Sequence, residues 1–123
     1  MSDVEILRIE AKVNAKLPDD LKAWLLVMGY GDIDEDLSFR FEWFGQVEYG
    51  ELKGSVMFAQ DSLGNFYAYV PESENVVFYS RSAPEYAVLA PTFTSFIEEL
   101  ERRDFKMIEW VESLRARPYS WDG

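Results

Sequence analysis

The stretch SVMFAQDSLGNFYAYVPESENVVFYS, Ser55–Ser80, decides the fold. It divides into three apolar runs, SVMFAQ, NFYAYV and NVVFYS, rich in aromatic and β-branched residues. Such side chains fit a pleated, half-buried surface, so each run is expected to be a strand. The links DSLGN and PESEN carry turn residues, and short strands joined this way read as an antiparallel meander. Just upstream, SFRFEWF sets Phe39, Phe41 and Trp43 against Ser38, Arg40 and Glu42. That alternation predicts a fourth, half-buried strand.

Within the first link stands an acid, Asp61, three residues before Gly64. A loop this short needs one residue at positive φ, and Gly64 adopts it without steric cost. An aspartate at its head accepts hydrogen bonds from the loop's own N–H groups. Asp61, Gly64 and Asn65 are therefore expected to shape a turn rather than to carry chemistry.

The period changes to helical on both sides. Residues 3–14 place Ile6, Ile9 and Val13 on one stripe, widened by Leu7, with Ser2 or Asp3 as cap. In KLPDDLKAWLLVMGYG, Pro18 suits a first turn and Asp19 and Asp20 suit the positive end of a helix dipole. Leu21, Trp24, Leu25 and Met28 form the apolar stripe, and Gly29 or Gly31 the stop. Thr92 caps a third helix with Phe93, Phe96, Ile97 and Leu100 inward. A break near Asp104, read as the next cap, precedes a fourth stripe at Met107, Trp110, Val111 and Leu114. Pro118 bars a simple continuation. Trp24, Trp43 and Trp110 are expected in the core, and Tyr49, Tyr67, Tyr69 and Trp121 at the surface.

The chain has 123 residues, one domain by size and enough for a real core. There are no cysteines and no histidines. That excludes disulfides, thiolate or imidazole metal sites and every Ser-His or Cys-His pairing. No apolar run approaches a membrane span. The opening MSDVEILRIE is acidic and helix-patterned, unlike a signal peptide, so the expected location is cytoplasmic. Of the net charge of −11, most falls in residues 30–75, which hold ten acids and two bases. A field of that sign repels phosphate backbones and attracts a basic protein surface. Direct nucleic-acid binding is not expected.

Two tempting sites are weak. Asp32, Asp34 and Asp36 match the opening of a calcium loop, but Leu37 stands where its glycine belongs and Trp43 where its bidentate glutamate belongs. Glu42 and Asp61 could be proposed as a hydrolytic carboxylate pair. With 23 acids in the chain, some pair always looks plausible.

In their order, several of these pieces resemble the SUKH superfamily, which includes bacterial toxin-immunity proteins and fungal cell-wall-assembly regulators. The resemblance covers about residues 4–101. It rests on Leu17-Pro18 opening a helix that contains Trp24 and Leu25, on Asp61 with Gly64 and Asn65, and on Leu89-Ala90 before Thr92-Phe93-x-x-Phe96. The chain departs from the family at Met28-Gly29-Tyr30-Gly31, where an asparagine–glycine or double-glycine end is usual. Residues 102–123 extend beyond the match as a helical extension and tail.

The resemblance implies a single α+β domain, a bent antiparallel-rich sheet of about four to six strands covered by N-terminal and C-terminal helices. It implies a non-enzymatic immunity protein, without a cofactor or metal, that binds and neutralises a cognate toxin. Many such toxins are nucleases or other enzymes with basic grooves, to which an acidic segment is complementary. A regulatory scaffold of the same fold is the alternative, and a small carboxylate-dependent hydrolase a distant third. The candidate partner-binding residues are Asp32, Asp34, Glu35 and Asp36, followed by Glu48, Tyr49 and Glu51.

Overall fold

The computed structural model describes residues 1–33, 37–48, 50, 52–80, 85–114 and 117–118. Helix α1, Asp3–Val13, begins where Ser2 Oγ accepts the Glu5 N–H at 3.2 Å, satisfying an amide the first turn leaves open. It ends at Asn14, which takes the left-handed conformation. Helix α2, Asp19–Met28, follows Pro18 and stops at Gly29, whose φ of 69° favours glycine. Helix α3, Phe93–Arg102, is capped by Thr92 Oγ1, which accepts the Ser95 N–H. Helix α4, Met107–Glu112, is short. Its N-cap is Lys106 rather than Asp104. Asp104 and Phe105 both turn left-handed, so the chain reverses there before α4 can start.

Between the helix pairs the strands are β1 Gly31–Ile33, β2 Leu37–Phe39, β3 Gly45–Gln46, β4 Val56–Asp61, β5 Phe66–Tyr69, β6 Val76–Tyr79 and β7 Glu85–Ala90, with β8 Arg117–Pro118 after α4. Among the described residues they form one sheet in the order β1-β2-β4-β5-β6-β7-β8, every pair antiparallel. The class is α+β with helices at both ends of the chain. The sheet has eight strands because β1, β3, β7 and β8 add to those expected, three of them only two or three residues long.

The alternation in SFRFEWF does not continue as a strand. After Phe39 the chain leaves the sheet through a 3₁₀ turn at Phe41–Trp43 and returns as β3. Both β2 and β3 therefore share one edge of β4: Leu37 opposes Asp61 at one end, and Gln46 opposes Val56 at the other. The detour puts Phe44 in the core instead of Trp43, which stays half-buried. Cations cover the two displaced rings. Arg8 and Lys12 lie 4.8 and 4.5 Å from the Phe41 centroid, and Arg40 lies 5.5 Å from that of Trp43.

The helices cover one face of the sheet. Phe58 sits at the centre of the core, its ring 5.9 Å from Phe39, 5.6 Å from Phe93 and 6.1 Å from Phe96. Trp110 of α4 stacks on Phe96 at 5.7 Å. Tyr67 and Tyr69 belong here too, buried rather than at the surface. Burial is tolerable because each hydroxyl finds an acceptor: Tyr67 donates to Asp61 and Tyr69 to the Lys16 carbonyl. On the other face a smaller cluster joins Val47 and Leu52 to Ala68 and Val77. Apolar cover on both faces explains why NFYAYV and NVVFYS read as nearly continuous apolar runs.

Two stripes are narrower than expected. Ile6, Ile9 and Val13 are buried, but Leu7 is 63% exposed. Leu21 and Leu25 are buried, but Met28 is 57% exposed. The run WLLVM, Trp24–Met28, is five consecutive apolar residues, and a helix resting on a sheet can turn only one side inward.

Candidate protein-binding surfaces

The Asp61 turn is a polar hub. Asp61 Oδ1 accepts the N–H groups of Leu63 and Asn65 at 2.9 and 3.0 Å. Its Oδ2 accepts Asn65 Nδ2 at 3.0 Å and the Tyr67 hydroxyl at 2.8 Å. Gly64, at φ 83°, lets the chain turn back, and its N–H donates to the Asp61 carbonyl. Asp61 and Asn65 are both buried. A carboxylate whose two oxygens already take four donors has little left for general acid–base work. Glu42, its hypothetical partner, lies in the 3₁₀ turn beyond the far end of β2.

Asp32 lies on strand β1, not in a loop. Gly29 ends α2, Gly31 turns into the strand at φ 142°, and Asp32 then pairs with Ser38 across the ladder. The Ser38 hydroxyl donates to Asp32 Oδ1, and Arg40 Nη2 approaches the same oxygen at 3.4 Å. The pair is about half exposed, so it contributes little to stability and only partly offsets the charge. β1 is the last strand on its side of the sheet, and its outer edge has no strand partner among the described residues. Such an edge can pair with another chain unless it is protected.

Asp34, Glu35, Asp36, Tyr49 and Glu51 lie outside the described residues. Glu48 is exposed just after β3, at the Val56 end of β4, whereas Asp32 pairs with Ser38 toward the Asp61 end. The structure does not bring Asp32 and Glu48 together. Glu72 and Glu74, in the β5–β6 turn, lie at the Val56 end as well. The described acids of residues 30–75 thus divide between the two ends of the sheet, and Asp61 is turned inward.

A second surface was not foreseen. Helices α2 and α3 flank a groove of about 360 Å³, with Ala23, Trp24, Val27 and Met28 on one wall and Phe93 and Ile97 on the other. Asp20 and Glu98 stand on its rim. Asp20 also ties the two helices together: its Oδ2 accepts the N–H and the hydroxyl of Thr94 at 3.0 and 3.1 Å. Val27 is 82% exposed. The signal was present in WLLVM, because five apolar residues in a row oblige some to face solvent.

Leu17-Pro18 opening α2, the Asp61–Asn65 hub joining β4 to β5, and Thr92 capping α3 are now set in one sheet-and-helix frame. A family model described as SMI1 / KNR4 family (SUKH-1) matches residues 1–99.

The chain belongs to the SMI1 / KNR4 family (SUKH-1).

Comparison with curated proteins and with solved structures found no match. The SUKH-1 match takes in both surfaces on α2, β1 and α3 and stops within α3. Helix α4 and strand β8 follow it, yet α4 is integral to the core through Met107 and Trp110. Among the described residues no helix is long and apolar enough to cross a membrane.

Proposed function

We propose that this SUKH-1 chain is an immunity protein that binds a cognate toxin domain in the cytoplasm and blocks it stoichiometrically, without chemistry of its own. Family membership supports a binding role. The observation that carries the surface is Asp32, exposed on a sheet edge with no strand partner among the described residues and followed in the chain by Asp34, Glu35 and Asp36. These carboxylates steer a basic toxin surface toward β1, while Glu48, which lies toward the other end of the sheet, serves with Tyr49 and Glu51 as a secondary contact. Net charge −11 adds long-range attraction to a toxin with a basic groove.

Rescue and kinetics test this together. Cells expressing the cognate toxin should survive when this chain is co-expressed. In stopped-flow mixing, association should slow as salt rises. It should slow by about tenfold at low salt when Asp32, Asp34 and Asp36 become Asn and Glu35 becomes Gln. An unchanged low-salt rate removes the Asp32–Asp36 surface from the proposal. Absence of rescue by any neighbouring toxin, with tight capture of an endogenous regulator instead, favours the regulatory scaffold.

A further inference from the structure

We propose that the α2–α3 groove seats an amphipathic segment of the partner protein, its apolar side chains turned inward and lysine or arginine on its flanks. This rests on the reading of the chain as a protein-binding module and adds a second, independent contact to the Asp32 edge.

Three observations carry it. Leu26, Val27 and Met28 leave apolar surface exposed on consecutive residues of α2, two of them over a groove with apolar walls. A contiguous patch of this kind, rimmed by polar groups, marks an interaction site. The rim groups that carry charge, Asp20 and Glu98, are both carboxylates, and Glu98 has no ion-pair partner among the described residues. Exposed Glu101, one turn along α3, adds to the same sign. Finally, Trp24 lines both this groove and a smaller neighbouring cavity of about 50 Å³. Its indole N–H is buried and has no acceptor among the described residues, so no hydrogen bond holds the ring against a shift when the groove fills.

The charge decides the occupant. A second copy docked by a two-fold axis would set the same carboxylates against each other, between two molecules of net charge −11. A segment with basic flanks meets them favourably, and its apolar face meets Val27, Met28 and Ile97. This is the helix-in-groove mode of recognition.

The probe is a synthetic Leu/Lys helix of about 14 residues with one apolar face, titrated into ¹⁵N-labelled protein. A Leu/Glu counterpart and a scrambled Leu/Lys peptide serve as controls. Saturable shifts of α2 and α3 amides and of the Trp24 indole N–H are expected with the Leu/Lys helix alone. Binding should weaken about tenfold or more in the double variant Val27→Gln and Met28→Gln, and several-fold in Glu98→Lys. Both variants alter exposed side chains, so the spectrum should otherwise be retained. Shifts mapping elsewhere, equal binding by the double variant, or no saturation overturn the proposal. So does self-association in sedimentation that the double variant abolishes, which would assign the groove to a second copy. Neutralising Asp32–Asp36 should leave peptide binding unchanged. Failure of toxin rescue with the peptide still docked would count against the immunity role and not against the groove.

Discussion

The Tyr67 hydroxyl meets Asp61 Oδ2 at 2.8 Å inside the β4–β5 hairpin. The acid most easily mistaken for a catalytic group is thereby the one most completely committed to structure. Both oxygens are taken up by donors, which come from Leu63, Asn65 and Tyr67 of the same short segment.

Asp61→Ala should destabilise the protein by about 3 kcal/mol, since it strips the acceptor from buried donors. Tyr67→Phe should cost about 1.5–3 kcal/mol, the scale of a hydrogen bond to a charged acceptor. In the Asp61→Ala background the tyrosine change should cost much less. Urea melts of both single variants and the double variant would read the coupling directly, and simple additivity would show that the contact is not formed in solution.

Phe58→Ala should cost about 3–5 kcal/mol, because it removes the ring that Phe39, Phe93 and Phe96 pack against and leaves a cavity. Phe58→Leu should cost distinctly less, as its residual cavity is smaller. Equal melting of the two variants would place the centre of the core elsewhere.

Trp24→Phe should change stability by less than about 1 kcal/mol. The lost contacts with Phe39 and Phe93 are offset by removing a buried N–H that has no acceptor among the described residues. Trp110→Phe, at a site where the ring stacks on Phe96 and meets Arg103, should cost more. Denaturation midpoints compared side by side decide the order.

Tyr30 donates to Glu5 Oε1 at 2.6 Å and Arg8 to Glu5 Oε2 at 2.8 Å. The tyrosine's hydrogen bond first, and Arg8 after it, hold the Glu5 carboxyl below its ordinary value of 4.5. The folded form is thus favoured in full above 4.5, and the benefit is lost as pH falls through the lowered folded value. Tyr30→Phe should move the Glu5 titration upward and flatten the acid side of the stability profile. A Glu5 carboxyl titration by NMR that stays put in Tyr30→Phe would refute the link.

Caps and turns were legible because their chemistry is local. Ser2, Thr92 and Asp61 each accept N–H groups from within four residues. Strand β7 was not legible because of a bulge. Its register shifts between Val76 and Val77 of the neighbouring strand, so Ala87 and Ala90, three apart, both turn inward and the period looks helical. The 3₁₀ detour at Phe41–Trp43 depends on Arg8 and Lys12, far away in the chain. The burial of Tyr67 and Tyr69 was not legible, because only the folded chain brings their hydroxyls to Asp61 and to the Lys16 carbonyl. At the candidate surfaces, the acidic composition was plain. Which acids share an end of the sheet depends on β2 and β3 sharing one edge of β4, and no local pattern announces that.

The Asp61 hub also bears on the order in which the molecule assembles. Its donors lie within six residues of the acceptor along the chain, and closing so short a loop forfeits little entropy. The hairpin can therefore knit before distant segments arrive, giving β2, β3 and β6 a ready edge on which to find register. A slip there would propagate to every later pairing, which makes this small polar knot a kinetic guide as well as a thermodynamic one.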